Sequence, residues 1–160
     1  TRGNVECFTF MPKFRMKLVV AVPDFPLSTR KARAVLPEKV PMKDAVNNIG
    51  RAAMLVAALC KGNDKFLRNV FEDALHQPYR AELIPGMYDV FQAARKAGAL
   101  GANLSGAGPC LIAYTLEKRQ CEEAVGEAMK MAFKQHGVES RILIMDLDNR
   151  GAHIVNENKE

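Results

Sequence analysis

A glycine-rich segment, GANLSGAGPCLIAY at residues 101–114, constrains the fold of this chain more than any other stretch. It follows a helical pattern and leads into an apolar run at residues 111–114, which predicts a strand. A Walker A loop needs a lysine and then a serine or threonine at the start of a helix, but here Pro109 and Cys110 follow the glycines. A dinucleotide-binding turn leads from strand to helix, which is the reverse order. The segment therefore predicts neither kind of nucleotide-binding loop.

Two interpretations of these glycines remain open. In the first, the missing side chains let another backbone or a ligand phosphate approach the N–H groups of the loop, and Ser105 adds a hydroxyl. In the second, Gly101, Gly106 and Gly108 only satisfy the turn geometry between two packed elements.

The first part of the chain predicts one strand followed by helices. Residues 17–22 are valine-rich and are stopped by proline, which is typical of a buried strand. Ser28 or Thr29 can cap a short basic helix that runs to residues 33–35. Residues 42–61 predict a long helix. Its apolar positions, which share one face, are Val46, Ile49, Ala53, Val56 and Cys60.

Two further helices are predicted before the glycine-rich segment. Asp64 can cap a helix that runs to about residue 75. Its inner positions are Phe66 or Leu67, Val70, Phe71 and Ala74. Another helix covers Tyr88, Phe91 and Ala94 and ends at Gly98.

The last part predicts a helix over residues 122–135 and a strand over residues 141–145. The inward positions of the helix are Val125, Ala128, Met129, Ala132 and Phe133. A turn at residues 148–151 then leads into residues 152–155 as a closing hairpin. This order of elements predicts an α+β fold with helices on one face of a mainly antiparallel sheet, as in split-βαβ folds.

Composition excludes several classes of protein. No apolar run approaches the roughly 20 residues of a membrane helix. The four cysteines lie far apart without a CxxC pair, so we expect neither a disulfide framework nor a zinc site, and a reducing cytoplasm fits best. The net charge of +5 is scattered among acidic residues, so we expect no nucleic-acid partner, whereas small anionic ligands remain open. The sequence opens on Thr1 rather than Met, which indicates processing or truncation.

The glycine-rich segment resembles the third motif of the GHMP small-molecule kinases. VAVPD at residues 20–24, STRKAR at residues 28–33 and HQPYR at residues 76–80 are similar to segments of the homoserine kinases within that superfamily. The resemblance implies a ferredoxin-like C-terminal domain at residues 17–156, preceded by a linker or strand remnant at residues 1–16 and followed by a tail at residues 157–160.

An absence accompanies this resemblance. The phosphate-binding loop of the family, PxGxGLGSSA in pattern, and its acidic magnesium ligand belong to an N-terminal domain, and neither is found in these 160 residues. The chain therefore resembles half of an enzyme. We expect it to be inactive alone, with no catalytic residue and no metal ligand of its own, and with ATP and Mg²⁺ bound mainly by the absent domain.

The resemblance also implies a reaction and a set of binding residues. Homoserine kinases transfer the γ-phosphoryl group of ATP to the hydroxyl of L-homoserine in threonine biosynthesis. The family motifs place substrate-binding positions at Thr29, Arg33 and Arg80, with His76 supporting Arg80. The residues expected to line the site in the glycine-rich loop are Gly101, Ser105, Gly106, Ala107 and Gly108.

Arginine suits such a site because a guanidinium group can make two parallel hydrogen bonds to a carboxylate. We therefore predict that Arg33 and Arg80 clamp the carboxylate of the substrate. The alternatives are that each arginine is a surface charge, that Thr29 only caps a helix, and that His76 only satisfies helix-terminal carbonyls.

Other functions also remain open. The chain could be a ferredoxin-like module that binds an amino acid and regulates a partner, or part of another GHMP kinase such as a mevalonate or shikimate enzyme. A sheet edge left open by the absent domain could pair with a second copy as a homodimer.

Overall fold

The computed structural model describes residues 10–148, within which a four-stranded sheet forms the centre of the molecule. The strands are β1 (Met16–Pro23), β2 (Gly101–Leu104), β3 (Leu111–Leu116) and β4 (Ser140–Asp146). Their order is β2-β3-β1-β4, and each neighbouring pair is antiparallel. Together with the element order, this is the ferredoxin-like arrangement, and the predicted fold class is confirmed.

Helices occupy the connections from β1 to β2 and from β3 to β4. They are α1 (Thr29–Ala34), α2 (Met42–Lys61), α3 (Gln77–Arg80), α4 (Met87–Lys96) and α5 (Glu122–Gln135). Short 3₁₀ helices cover Asp64–Asn69, Ala81–Leu83 and Glu117–Arg119. Both α2 and α5 have the predicted bounds. The side chain of Ser28 accepts a hydrogen bond from the N–H of Lys31, so Ser28 caps α1 and Thr29 is its first residue.

The main core lies on one face of the sheet, under α4 and α5. Alternate residues of β1 and β3, including Val19 and Ala113, point to this face because side chains alternate along a strand. From the helices, Val90, Met129 and Phe133 pack against them and are fully buried. The predicted inner side of α5 is thus confirmed, although Ala128 is only half-buried.

A second cluster lies on the opposite face of the sheet. Met16 and Leu116 are cross-strand partners there, and they pack against Leu67 and Phe71. Ala58 brings the C-terminal part of α2 into this cluster. The prediction placed helices on one face of the sheet only. In the structure, α2 and the 3₁₀ helix Asp64–Asn69 pack on the other face.

The predicted apolar face of α2 is not buried. Val46 and Ile49 are 59% and 69% exposed, and only Ala58 among the described residues of this helix is buried. The periodicity thus predicted the helix correctly, but the apolar face that it identified is mostly exposed.

The helix predicted from Asp64 to residue 75 is wrong in type and length. The structure has a 3₁₀ helix that ends at Asn69, and the side chain of Asn63, not Asp64, accepts the capping hydrogen bond from Lys65. Beyond it, the N–H groups of Ala74 and Leu75 donate to the side chains of Asn48 and Asp73, which replaces the helical hydrogen bonds there.

The first four residues of the glycine-rich segment form β2 rather than a loop, which corrects the prediction for Gly101. Leu100 donates a backbone hydrogen bond to Tyr114, and strand pairing continues from Gly101 to Leu104. A Cβ atom at Gly101 would clash with the ring of Phe71, which stacks on Tyr114 at 4.4 Å between centroids. A close approach, rather than a turn, explains this glycine.

Some predictions concern residues that the structure does not describe. The hairpin through residues 152–155, the tail at residues 157–160 and most of the segment at residues 1–16 lie outside the described residues. Cys60, Cys110 and Cys121 are free thiols. Over residues 10–148, no helix combines the length and the apolar character needed to span a membrane.

Candidate functional site

Arg80 is the centre of the candidate site, since its side chain joins three separate segments of the chain. The residue is 9% exposed at the end of α3. Its Nε donates to the carbonyl oxygen of Ala32 in α1 at 3.0 Å, and its Nη1 donates to the carbonyl oxygen of Gly106 at 3.2 Å. A buried guanidinium group needs such acceptors because desolvation is costly. Arg80 therefore fixes the position of α1 relative to the glycine-rich turn.

His76 lies against Arg80 as the resemblance implies. The Nδ1 atom of His76 is 3.3 Å from Nη1 of Arg80, and Nε2 is 3.5 Å from Oδ1 of Asp73. Because arginine can only donate, Nδ1 acts as the acceptor and the proton of a neutral His76 sits on Nε2, facing Asp73. The three side chains form one continuous polar row.

Asp73 is a residue that the sequence reasoning missed. Its carboxylate accepts hydrogen bonds from the N–H of His76 at 2.9 Å and from the N–H of Gln77 at 2.6 Å. Burial favours the neutral acid, but these bonds, a further one from Asn48 and the nearby His76 outweigh it, so the pKa of Asp73 is below its ordinary value. Asp73 therefore remains a charged anchor for the start of α3.

Asn48 and Gln77 extend this anchor to α2 and to the sheet. The Nδ2 group of Asn48 donates to Asp73 at 2.6 Å, and its Oδ1 accepts from the N–H of Ala74 at 2.9 Å. Gln77 is 3% exposed, and its Oε1 accepts from the N–H of Leu104 at the end of β2. The segment that carries His76 and Arg80 is thus held from both sides.

The glycine-rich turn occupies the connection between β2 and β3. It is closed by the hydrogen bond from the N–H of Ser105 to the carbonyl of Cys110 at 2.9 Å. Gly106 has a φ of +66° in open space, a conformation that L side chains rarely adopt. The N–H groups of Gly106 and Ala107 donate to no acceptor within residues 10–148. Both predicted uses of the glycines are therefore compatible with this turn.

A Cβ atom on Gly108 would approach Ile84 to 2.9 Å, and the φ of this residue is +89°. Gly108 is therefore a packing and turn residue. Ser105 and Gly106 are exposed beside it, so the open part of the turn is formed by residues 105–107.

Thr29 and Arg33 lie on α1 and are both exposed. Arg33 follows Ala32, the residue whose carbonyl accepts from Arg80, so the structure brings α1, Arg80 and the turn into one neighbourhood. The guanidinium of Arg33 has no hydrogen-bond or ion-pair partner within the part of the chain that the structure describes. Arg80, in contrast, uses Nε and Nη1 on its own protein, whereas its Nη2 has no hydrogen-bond partner within residues 10–148.

A groove with a cavity volume of about 340 Å³ runs between α2 and the second face of the sheet. Leu18, Leu55 and Tyr114 give it apolar walls, and Asp73 and His76 form its polar end. Asp73 and His76 therefore line this groove, whereas the guanidinium group of Arg80 lies against α1 and the glycine-rich turn.

The sequence contained one usable signal for these additional residues. Asp73 precedes His76, Gln77 and a proline, a spacing that favours an acidic side chain accepting from the first N–H groups of a helix. Asn48 gave no such signal, because its two partners are 25 and 26 residues away in the chain.

The described residues do not fit a metal site. Across residues 10–148, no group of three or more His, Cys, Asp and Glu side chains is arranged to hold a metal ion. No step is therefore assigned to a metal bound by this chain.

Comparison with known proteins shows which family matches this fold and site. The family model described as GHMP kinases C terminal matches residues 54–137. The homoserine kinase of Moorella thermoacetica is 48% identical over 137 residues, which cover 86% of this chain and 45% of that protein.

Two solved structures share the fold. The crystal structure of homoserine kinase from Cytophaga hutchinsonii has a TM-score of 0.80 at 29% identity and covers 86% of this chain and 43% of that one. L. major mevalonate kinase in complex with R-mevalonate has a TM-score of 0.62 at 20% identity, covering 85% and 43%, which shows a shared fold alone. The chain spans less than half the length of the curated relatives that it matches.

Proposed function

Because the chain belongs to the GHMP kinase C-terminal family, we propose that it forms the C-terminal half of a homoserine kinase. The proposed reaction transfers the γ-phosphoryl group of ATP to the hydroxyl of L-homoserine in the cytoplasm. The 48% identity to a homoserine kinase supports this substrate over mevalonate, since the mevalonate kinase shares only the fold.

The buried Arg80 carries this proposal. It connects α1, which carries Thr29 and Arg33, to α3, which directly follows His76, and to the glycine-rich turn. A kinase must hold its acceptor in line with the phosphoryl group, so a rigid junction beside exposed donors suits this role.

The roles of the two arginines differ in this proposal. Arg33, whose guanidinium group has no partner within residues 10–148, supplies most of the contact to the carboxylate of homoserine. Arg80 contributes Nη2 at most, and its other donors keep α1 and the turn in place. In this proposal, the predicted clamp of Arg33 and Arg80 becomes one arginine that binds the substrate and one that mainly organises the site.

Thr29 and the turn complete the wall of the proposed site. The hydroxyl of Thr29 is exposed on the same helix as Arg33. The N–H groups of Gly106 and Ala107, which have no acceptor among the described residues, can donate to an anionic oxygen of a ligand or to a backbone carbonyl. ATP and Mg²⁺ would be bound by the N-terminal half, and Mg²⁺ would supply charge neutralisation on the phosphates.

The proposal can be tested in a chimera. In it, this chain replaces the matched 137-residue segment of the Moorella thermoacetica homoserine kinase. We expect ATP-dependent phosphorylation of homoserine by the chimera, and none by the 160-residue chain alone. Mevalonate and shikimate are the comparison substrates.

Three results would contradict the proposal. A folded chimera that phosphorylates mevalonate or shikimate in preference to homoserine would exclude the substrate. Homoserine phosphorylation by the isolated chain at rates of about 1–100 per second would exclude the division between the halves. Tight calorimetric binding of threonine that survives Arg33→Ala would favour an amino-acid sensor.

A further inference from the structure

We propose that the exposed apolar face of α2 is the docking surface for the N-terminal half of the kinase. This face, the α2 stripe, consists of Met42, Val46, Ile49, Ala53 and Val56. The inference rests on the proposed function only in assuming that a second half exists. The α2 stripe is separate from the Arg80 junction, which consists of Arg80 and its partners Ala32, His76 and Gly106.

The α2 stripe has the pattern of a buried helix face but the exposure of a surface. Its members recur every three or four residues, the spacing that places them on one side of a helix. Met42 is 78% exposed, Ile49 is 69% and Val46 is 59%. Single exposed apolar residues are ordinary, whereas a contiguous apolar face marks an interaction surface.

The inner side of α2 already has its partners. Leu55, Ala58 and Leu59 pack in the second cluster, and Asn48 bonds to Asp73. The helix therefore cannot rotate to bury the stripe without losing these contacts. The stripe needs a partner from outside the described residues.

The path of the chain indicates which partner this is. The N–H of Lys13 donates to the carbonyl of Leu59 at 3.2 Å, so the chain approaches β1 beside the last turn of α2. The family match is to a C-terminal domain, and more than half of each relative lies outside the matched part. A preceding half would therefore be tethered next to the C-terminal end of this helix.

The length of α2 connects this tether to the candidate site. Twenty residues of helix are about 30 Å long, comparable to the diameter of a small domain. The N-terminal end of the helix, at Met42, follows closely after α1, which carries Thr29 and Arg33. A domain packed along the α2 stripe would therefore extend from the tether to the neighbourhood of α1.

The test measures whether the stripe becomes covered. Val46→Cys and Ile49→Cys are introduced singly into the isolated chain and into the chimera, and maleimide labelling of each site is followed by peptide mass spectrometry. Met131→Cys is the matched control, because Met131 is 55% exposed on the outer side of α5. Peptide-level detection separates these sites from the native cysteines.

We expect both stripe variants to be labelled about tenfold more slowly in the chimera than in the isolated chain, because an interface core excludes solvent. Met131→Cys should be labelled at the same rate in both. If each stripe variant is labelled at the same rate in the chimera as in the isolated chain, the proposal is overturned. Slow labelling in the isolated chain that becomes faster on dilution would overturn it too, because a second copy would then cover the stripe.

The readout is independent of the proposed reaction. A chimera that protects the stripe but does not phosphorylate homoserine would contradict the proposed substrate and support the docking surface. A chimera that phosphorylates homoserine but leaves the stripe unprotected would support the proposed substrate and contradict the docking surface.

Discussion

The helices α2 and α5 have equally regular apolar stripes but opposite environments. In α5, Val125, Met129 and Phe133 are fully buried against β1 and β4. In α2, Val46 and Ile49 are mostly exposed, and the helix is held by a small cluster at one end and by Asn48 on its inner side. Periodicity thus identifies the apolar face of a helix, but not whether that face packs against the rest of the described chain.

The two helices differ in the kind of contact that holds them. The position of α5 depends on apolar burial, which favours the folded state in proportion to the area removed from water. The position of α2 depends to a larger extent on hydrogen bonds that also hold the Arg80 junction. Substitutions should therefore have different effects in the two helices.

The largest difference is expected from truncating one residue in each stripe. Phe133→Ala should lower the free energy of unfolding by about 3–5 kcal/mol, because it leaves a cavity in the main core. Ile49→Ala should change it by about 0.5 kcal/mol or less in the isolated chain. Urea unfolding of both variants provides the measurement. Similar losses in the two would show that the α2 stripe is buried.

The polar attachment of α2 gives the next effect. Asn48→Ala should cost about 1–3 kcal/mol, since it removes one hydrogen bond to the Asp73 carboxylate and one to the N–H of Ala74. Asn47→Ala is the matched control, because the side chain of Asn47 accepts a single hydrogen bond within residues 10–148, from Arg51 at an exposed position. The same unfolding assay applies, and equal effects of the two substitutions would remove Asn48 from this account.

Two helical glycines provide a comparison with opposite signs. In α5, a Cβ atom on Gly126 would lie 2.7 Å from Cγ2 of Ile142, so Gly126→Ala should destabilise the chain by about 1 kcal/mol. In α2, Gly50 has no atom within 4 Å of such a Cβ, so Gly50→Ala should stabilise it by up to about 1 kcal/mol. Thermal unfolding of both variants tests this, and a stabilising Gly126→Ala would contradict the packing described for α5.

The smallest expected effect is the change in folding stability with pH, because lowering the pH neutralises Asp73 without removing its side chain. Its pKa is lower in the folded chain than in the unfolded chain, so its contribution is fully present above the ordinary aspartate pKa of about 3.9 and is lost as the pH falls through the folded value. Wild type should be more stable than Asp73→Asn at pH 7, and the gap should narrow below about pH 4. A gap that stays constant from pH 7 to pH 3 would contradict the charged anchor.

Much of the fold could be predicted because the relevant contacts follow local patterns. The valine-rich run of β1 and the stripe of α5 are satisfied within the chain, so both were placed correctly. The helix predicted from Asp64 does not reach residue 75, because the N–H groups of Ala74 and Leu75 donate to the side chains of Asn48 and Asp73 instead of to the preceding helical turn. That competition depends on specific side chains rather than on periodicity.

The candidate site was predictable only in part for a related reason. Motif resemblance pointed to Arg33, His76 and Arg80, and the last two are in contact. The commitment of Arg80 to Ala32, 48 residues away, left no trace in the local sequence. Substrate contact by Thr29, Arg33 and Arg80 stays a prediction.

The most direct test of the account is the KM of the chimera for homoserine in two α1 variants. Arg33→Ala should raise this KM by about 10-fold to 100-fold, with kcat and the KM for ATP nearly unchanged, because a charged hydrogen bond to the substrate carboxylate is lost in both ground and transition states. Arg30→Ala, an exposed arginine on the same helix, should stay close to wild type. Equal KM values for the two variants would contradict the claim that α1 presents Arg33 to the substrate.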